Sequence, residues 1–422
     1  MPDTNGREDA MADRAALVGV DWGDKKHAFE VRTRDGGRWS RSFEQRPEAL
    51  HAWVAELRAR FPEGTIAVAV EQSRGAFVYA LARYDFIEIV PLHPTQTAAY
   101  REVIRPSGAK SDPIDAGLVC DFVERHGDQV RSWHAADPLT RELLLLVEWR
   151  RKLVDSRTSS CNQLRDTLKQ YFPQALELVG ELDSPMTWAF LERWPTIEQL
   201  KTSRLSTVRS FYTTHGCRSK ERIEERVALI ASAMPLHSDG ALIRALSVMA
   251  QSLVALIRTA SEQIVLVDAQ IERLWNSHPD REVFDSLPGA GRVLAPRLAV
   301  ALGTNRARWS ASALQSFSGI APLTVTSGSK RWVHSRWKRP KFLRQTFHEF
   351  AACSIPQSPW AAAFYRLQRA RGKGHHAAVR ALAFRWIRVI VRCWQDHARY
   401  DEARYTQRLF AAHSPVAATI RT

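Results

Sequence analysis

The sequence predicts an α/β domain at the N-terminus, a helical or coiled-coil middle and a mainly α C-terminal domain. Three observations predict that order. Short apolar runs closed by acids alternate with helical patterns over the first 138 residues. Strand signals then stop, and long amphipathic patterns run from Leu139 to His278. Beyond Phe284 there is no Asp or Glu between Asp285 and Glu349, while cations accumulate. The expected boundaries are a disordered tail over 1–15, an α/β domain over 16–138, a helical region over 139–280, a C-terminal domain over 281–400 and a tail over 401–422. A chain of 422 residues is too long for one ordinary core, so two or three domains are expected.

Leu17–Asp21 reads as a short buried strand. His27–Thr33 and Arg38–Phe43 are its antiparallel partners, joined by the turn Arg34-Asp35-Gly36-Gly37. Pro47–Phe61 has helical spacing at Leu50, Trp53, Val54 and Leu57, with proline in its first turn. Thr65–Glu71 is an apolar strand ending on an acid, Ala76–Tyr84 a short helix, Phe86–Leu92 another strand, and Asp112–Glu124 a helix that starts at two acids. The order β-β-β-α-β-α-β-α is that of the RNase H-like fold. Its first and fourth strands lie side by side, which would bring Asp21 beside Glu71.

In the middle, Thr140–Leu168 carries Leu143, Leu144, Val147, Trp149 and Leu153 on a broad stripe. Ala241–Trp275 runs for roughly ten turns without Gly or Pro. That length fits a coiled-coil arm or a buried bundle helix. In the third region Val293–Leu302 is an apolar helix behind Leu287-Pro288-Gly289-Ala290-Gly291, whose glycines could free backbone N–H groups for a phosphate or form a plain helix-entry turn.

Net charge is +15, which calls for a polyanionic partner. No run approaches ~18 consecutive apolar residues, so no membrane span is expected. The N-terminus lacks the apolar stretch of a signal peptide. Cys120, Cys161, Cys217, Cys353 and Cys393 are scattered and form no CxxC pair, which argues against a zinc ribbon or disulfide framework and fits a reducing cytoplasm.

Four acids carry the chemistry. Asp21 and Glu71 end apolar strands, and Asp112 and Asp115 lie one helical turn apart. A buried strand that ends on a carboxylate must leave it water or give it a cation. Each acid alone has a plain reading as a turn residue, an ion-pair partner or a helix cap. Together they form a hard-oxygen set suited to two Mg²⁺ ions. Thr324-Val325-Thr326-Ser327-Gly328-Ser329-Lys330-Arg331 reads as a hydroxyl-rich loop, flexible or bearing a serine nucleophile activated by cations. The cations that follow, Lys330, Arg331, Arg336, Lys338, Arg339, Lys341 and Arg344, form the expected nucleic-acid face, with Trp332 and Trp337 either stacking on bases or packing inward. His375 and His376 are expected in a basic loop facing phosphate.

The chain resembles the DEDD transposases of insertion sequences, the group of bridge-RNA-guided recombinases. Val18-Gly19-Val20-Asp21 with Lys26-His27, Glu71 in Val70-Glu71-Gln72-Ser73-Arg74-Gly75, and Lys110-Ser111-Asp112-Pro113-Ile114-Asp115-Ala116 are similar to that family's three acidic motifs. Leu287-Pro288-Gly289-Ala290-Gly291, Ser318-Gly319-Ile320-Ala321-Pro322, Ser327-Gly328-Ser329-Lys330 and Phe342-Leu343-Arg344-Gln345 resemble its C-terminal domain. The resemblance implies a RuvC-like DEDD domain over 16–138, a coiled-coil middle and a C-terminal transposase domain. It implies that Asp21, Glu71, Asp112 and Asp115 hold Mg²⁺ and that Ser327 bonds covalently to DNA, the acids and serine making one composite site. Some members align the nucleophile one position earlier, which keeps Thr326 beside Ser327. Expected partners are the element ends and target DNA, a structured guide RNA and further copies of the chain in a dimer or tetramer, in the bacterial cytoplasm at the nucleoid. Three rivals stay open: a metal nuclease such as a Holliday-junction resolvase, using water and the acids alone; a sugar-kinase or actin-like ATPase, which lacks here its second glycine-rich phosphate loop; and a non-catalytic nucleic-acid-binding protein, which gives no reason for the four acids.

Overall fold

The structure, a computed structural model, describes residues 14–72, 74–104, 112–127, 130–328, 330–334, 336 and 339–420. Lys338, like Lys110, Ser111, Ser329 and most of the expected N-terminal tail, lies outside them. The chain divides into two compact units, Met1–Ala135 and Ala136–Thr422.

The first unit is built on one sheet of order β3-β2-β1-β4-β5. Its strands are β1 (Arg14–Trp22), β2 (Lys26–Thr33), β3 (Arg38–Glu44), β4 (Thr65–Val70) and β5 (Ile87–Pro91). β1 is antiparallel to β2 and parallel to β4, as expected for adjacent first and fourth strands. Both sheet faces are covered around β1 and β4, which is why these strands read as unbroken apolar runs. One face, with Ala16, Val18, Val20, Val68 and Val70, packs under α1 (Pro47–Arg60) through Trp53 and Val54, and against Phe77 and Val78 of α2 (Ala76–Leu81). On the other face Leu17, Ala67 and Ala69 meet Val119 and Cys120. A helix absent from the sequence expectations, α3 (Pro94–Ile104), precedes α4 (Asp112–His126). β1 begins at Arg14, so the sheet reaches into the segment expected as a tail.

The second unit is organised by two long helices, α5 (Pro138–Tyr171) and α11 (Gly240–Asn276). They run antiparallel. Leu143 and Val147 of α5 share a core with Val267, Ile271 and Leu274 of α11. At the other end Leu164 and Leu168 share a core with Leu246, Leu253 and Ile257. Both helices start on aspartate caps, Asp137 accepting from the Thr140 amide and Asp239 from those of Ala241 and Leu242. Between them lie α6 (Ala175–Val179), α7 (Pro185–Arg193), α8 (Ile197–Lys201), α9 (Leu205–Thr214) and α10 (Lys220–Ser232), whose Phe190, Trp194, Phe211 and Tyr212 fill the far core. By length and composition alone α11 could cross a membrane, which by itself is weak evidence; its buried positions, among them Leu246, Leu253 and Ile257, face α5 and the short helices.

The C-terminal part continues with α12 (Arg281–Asp285), α13 (Gly291–Leu302), α14 (Ala311–Phe317), the hairpin β6 (Leu323–Ser327) and β7 (Lys330–His334), α15 (Lys341–Ser354), α16 (Pro359–Ala370), α17 (His375–Gln395), α18 (Glu402–Ala411) and α19 (Pro415–Ile420). Its core gathers Phe347, Phe350, Trp360, Trp386 and Trp394 with the near end of α5 and α11. The last segment differs from the expected tail: Leu409, Val416 and Ala417 belong to that core, and the Ser358 hydroxyl donates to the Glu402 carboxylate at 3.0 Å. Apolar residues three to seven apart, too few for a confident pattern in so short a segment, were enough to dock two helices once the tryptophan core existed.

Candidate active site and nucleic-acid interface

The parallel register of β1 on β4 pairs Val20 with Val70, so Asp21 and Glu71 follow as neighbours at one edge of the sheet. Adjacent strands stand about 4.8 Å apart, which sets the backbone separation of the two acids. Alternation puts Asp21 on the same face as Leu17 and Gly19, the face covered by α4. That helix lies very close. A side chain at Gly19 would collide with the Ala116 carbonyl and the Cys120 thiol, so glycine is what lets α4 seat on β1. The direction of α4 follows from its partners. Ala116 and Cys120 lie over Gly19, while Asp121 and Glu124 pair with Arg32, which stands opposite Leu17 further back along β1. The first turn of α4, with Asp112 and Asp115, therefore lies toward the end of β1 that carries Asp21.

The four acids thus share one end of the first unit. Their closer convergence is not what the structure shows: among the described residues no group of three or more His, Cys, Asp or Glu stands close enough to hold a metal ion. Asp115 is 4% exposed and takes its counter-charge from Arg101 of α3, whose Nη2 lies 2.9 Å from its Oδ1. That contact is an ion pair without hydrogen-bond alignment, so Oδ1 is a buried oxygen with no donor directed at it. Four carboxylates at one edge repel, and the guanidinium offsets part of that repulsion. Asp112 is exposed at the helix start. The donor set is hard oxygen throughout and suits a divalent cation.

The end of β1 is held by an aromatic stack. Trp22 lies 3.7 Å from the ring of His27 directly across the ladder, and 4.6 Å from Phe77. His27 is fully buried, hydrogen-bonded to Gln45, and burial pulls its pKa below the usual histidine value. It is a neutral wedge that fixes the strand beside Asp21. On the same sheet Arg32 is buried against Glu30, Asp121 and Glu124, and these bonds hold its pKa up despite desolvation.

Ser327 belongs to the second unit. The expected hydroxyl-rich loop is instead the hairpin of β6 and β7. The reason is local: Thr324, Val325 and Thr326 are β-branched, and Gly328 takes the positive φ of +58° that a tight turn needs. Ser327 stands opposite Lys330, and Thr326 opposite Arg331. Alternation sends the two hydroxyls to opposite faces, so the choice between them is a choice of face. Both strands are exposed along their whole length, including Trp332 and Val333. Of the expected nucleic-acid residues, Lys330 and Arg331 lie on this hairpin. Arg339, Lys341 and Arg344 line a cavity at the start of α15, and Arg336 is half-buried between the two places. The structure adds His348 and Arg380 to that cavity. His376, expected in a loop, is in the first turn of α17. The segment 287–291 enters α13 with Leu287 and Ala290 in the core and Gly289 against the Cys353 backbone, which supports the plain helix-entry reading.

Two family models match the chain. One, described as a transposase of the DEDD type found in IS110, matches residues 18–173. The other, described as transposase of the IS116/IS110/IS902 family, matches residues 281–366. Together they cover more than half of the chain. The chain is 28% identical over 405 residues to the mini-circle putative transposase for IS117 of Streptomyces coelicolor, covering 92% of this chain and 96% of that protein. It is 28% identical over 402 residues to the insertion element IS110 uncharacterized 43.6 kDa protein of the same organism, with 92% and 96% covered. It is 26% identical over 399 residues to the insertion element IS900 uncharacterized 42 kDa protein of Mycobacterium paratuberculosis, with 92% and 98% covered. Matched at both ends by models of one family and along nearly its whole length by these relatives, the chain belongs to the IS116/IS110/IS902 family of transposases.

Proposed function

We propose that this transposase cuts and rejoins DNA at the ends of an insertion element and at its target, with Ser327 as the nucleophile and Asp21, Glu71, Asp112 and Asp115 as ligands of two Mg²⁺ ions. The supporting observation is the pairing of two features in one chain: Asp21 and Glu71 at neighbouring strand ends with the acidic first turn of α4 toward them, and a serine opposite Lys330 on an exposed basic hairpin. In the reaction the Ser327 Oγ attacks a backbone phosphorus, its proton passes to solvent or a nearby base, and the 3′ oxygen leaves. The product is a serine–phosphate ester on the 5′ side. Attack of a second 3′ hydroxyl on that ester reforms a phosphodiester and frees the serine, so no external energy source is needed. Lys330 favours the alkoxide and offsets charge on the attacked phosphate. Bound Mg²⁺ would supply Lewis-acid stabilisation of the phosphoryl oxygens. A structured guide RNA, a nucleoid location and assembly as a dimer or tetramer complete the proposal, with pairing reading sequence and protein reading shape.

The test is covalent attachment. Wild type, Ser327→Ala and Thr326→Ala are incubated with labelled DNA, Mg²⁺ and the RNA encoded beside the gene, then run on denaturing gels. Label retained by wild type and lost in Ser327→Ala supports the reading, and loss only in Thr326→Ala moves the nucleophile to the other face of the hairpin. Efficient cleavage with no adduct in any form would instead make the chain a water-using metal nuclease.

A further inference from the structure

A cavity of about 450 Å³ opens where the first half of α15 meets the start of α17. Its wall is cationic. Arg339, Lys341, Arg344 and Arg380 line it with His348 and His376, and no carboxylate is among its lining residues. The two helices run in the same direction there. His348 meets His376 at 5.7 Å between ring centres, and Phe350 and Ser354 further along meet Trp386. Both helices therefore turn their positive ends toward the same side. Neither is capped by a side chain, and neither holds an acid in its first turn.

The cations are also short of partners. Buried Nε and Nη1 of Arg339 and buried Nη1 of Arg344 have no acceptor. Leaving such donors unpaired is costly, and an anion in the cavity would satisfy them. The nearby acids are committed elsewhere. Glu349 accepts from Arg297, from Arg151 and from Gln345. Asp155 pairs with Arg151 and reaches only the exposed Lys341, at 3.7 Å. Arg339 is placed by Gly319, which has a φ of +69° and whose missing side chain is the space that the arginine stem occupies.

We propose that this cavity is a phosphate seat that clamps one phosphodiester group of a bound nucleic-acid strand, with Arg344 and Arg380 as forked donors and Arg339 as the wall behind them. The proposal rests on the reading of the chain as a DNA strand-transfer enzyme and gives that reading a fixed point other than the serine hairpin. A guanidinium fork matches the two non-bridging oxygens of a phosphodiester. The cavity is larger than a lone phosphate requires, which leaves room for the sugars on either side.

The experiment uses the full chain, with Arg344→Gln and Arg380→Gln combined, and with Arg344→Lys and Arg380→Lys combined. Thermal midpoints are compared in sodium phosphate and sodium chloride of equal ionic strength, and duplex affinity is measured across a salt series. Phosphate should raise the wild-type midpoint and leave the glutamine pair unmoved. The salt slope should fall by about one in the glutamine pair, the share of a single phosphate contact. The lysine pair keeps charge but loses the fork, so it should hold the slope and lose about tenfold in affinity. If the glutamine pair fails to fold by circular dichroism, the lysine pair carries the test, and wild-type affinity in it overturns the clamp. Stabilisation by phosphate with an unchanged slope would assign the cavity to free phosphate and overturn the backbone seat. No phosphate effect and no change in slope would overturn the site. The Ser327 adduct reads the wider proposal independently, since an adduct that persists without any phosphate effect removes the seat alone.

Discussion

Replacing Arg101 by alanine exposes what holds the acidic edge together. Asp115 is 4% exposed, and the guanidinium stands 2.9 Å from its Oδ1. At an effective dielectric constant near 20, that separation corresponds to an attraction of about 6 kcal/mol before desolvation is counted. Removing one member of a fully buried pair costs about 3–5 kcal/mol. The Arg101 side chain is 23% exposed, so water takes up part of the loss. An expected destabilisation of about 2 kcal/mol remains, or about 6–10 °C in the melting of a unit of this size. The assay is thermal unfolding of the full chain in EDTA, followed by amide exchange in the β1, β4 and α4 segments. If Asp115 is a metal ligand, millimolar Mg²⁺ should restore Arg101→Ala by more than it stabilises wild type, because the ion replaces the lost positive charge and binds only the folded form. Asp115→Asn in the same background should abolish that response. An Arg101→Ala protein as stable as wild type in EDTA would refute the pairing argument. A destabilised protein indifferent to Mg²⁺ would remove Asp115 from the proposed ligand set.

Gly19→Val should force α4 off β1 and cost about 1–3 kcal/mol, read as a lower urea midpoint with an unchanged slope, and a wild-type midpoint would contradict the close approach. Acid should weaken the fold in a defined window. His27 and His278 are buried, and burial is the main cause lowering both pKa values below 6.5, against a raising hydrogen bond from Gln45 in the first and raising charges from Asp280 and Asp137 in the second. Below pH 6.5 the unfolded chain binds protons that the folded chain refuses, so stability is complete above that pH and falls as pH drops, by at most about 1.4 kcal/mol per pH unit for each histidine. Urea midpoints at pH 7.5, 6.5 and 5.5 check this, and His27→Gln should flatten the decline; a midpoint that rises toward pH 5.5 would refute the sign.

The central strands β1 and β4 were legible because they are buried on both faces and their apolar runs stop at Asp21 and Glu71, which leaves little freedom in where they end. The two long helices were legible from their three- and four-residue spacing. The hairpin was not, since its strands are exposed and its alternation lies inside a run dominated by hydroxyls and cations. At the acidic edge the strand order expected from the sequence put Asp21 and Glu71 on neighbouring strand ends, as the register shows. It could not show Arg101, because α3 carries only a weak apolar pattern and the pair with Asp115 exists only once α3 and α4 have packed. At the basic lobe the stretch from Lys330 to Arg344 stood out by the lack of acids, but Arg380 joins it from a helix more than thirty residues away. Its position four residues after His376 placed both on one face of a helix, a signal that could have been read.

The antiparallel pairing of α5 and α11 has a consequence for how the family can vary. The chain departs from the C-terminal lobe at Pro138 and returns to it by Asn276, having carried α6 to α10 out to the far end of a mast about 50 Å long. What lies at the tip is thus joined along the chain to the lobe through the two shafts. Removing seven residues from each shaft, at matched heights, would draw the tip about 10 Å nearer the lobe while keeping both seams in phase. Removing four from one shaft alone would rotate its apolar side away from its partner. The reach of the tip is therefore an adjustable dimension, set by paired insertions and deletions and independent of the proposed site residues.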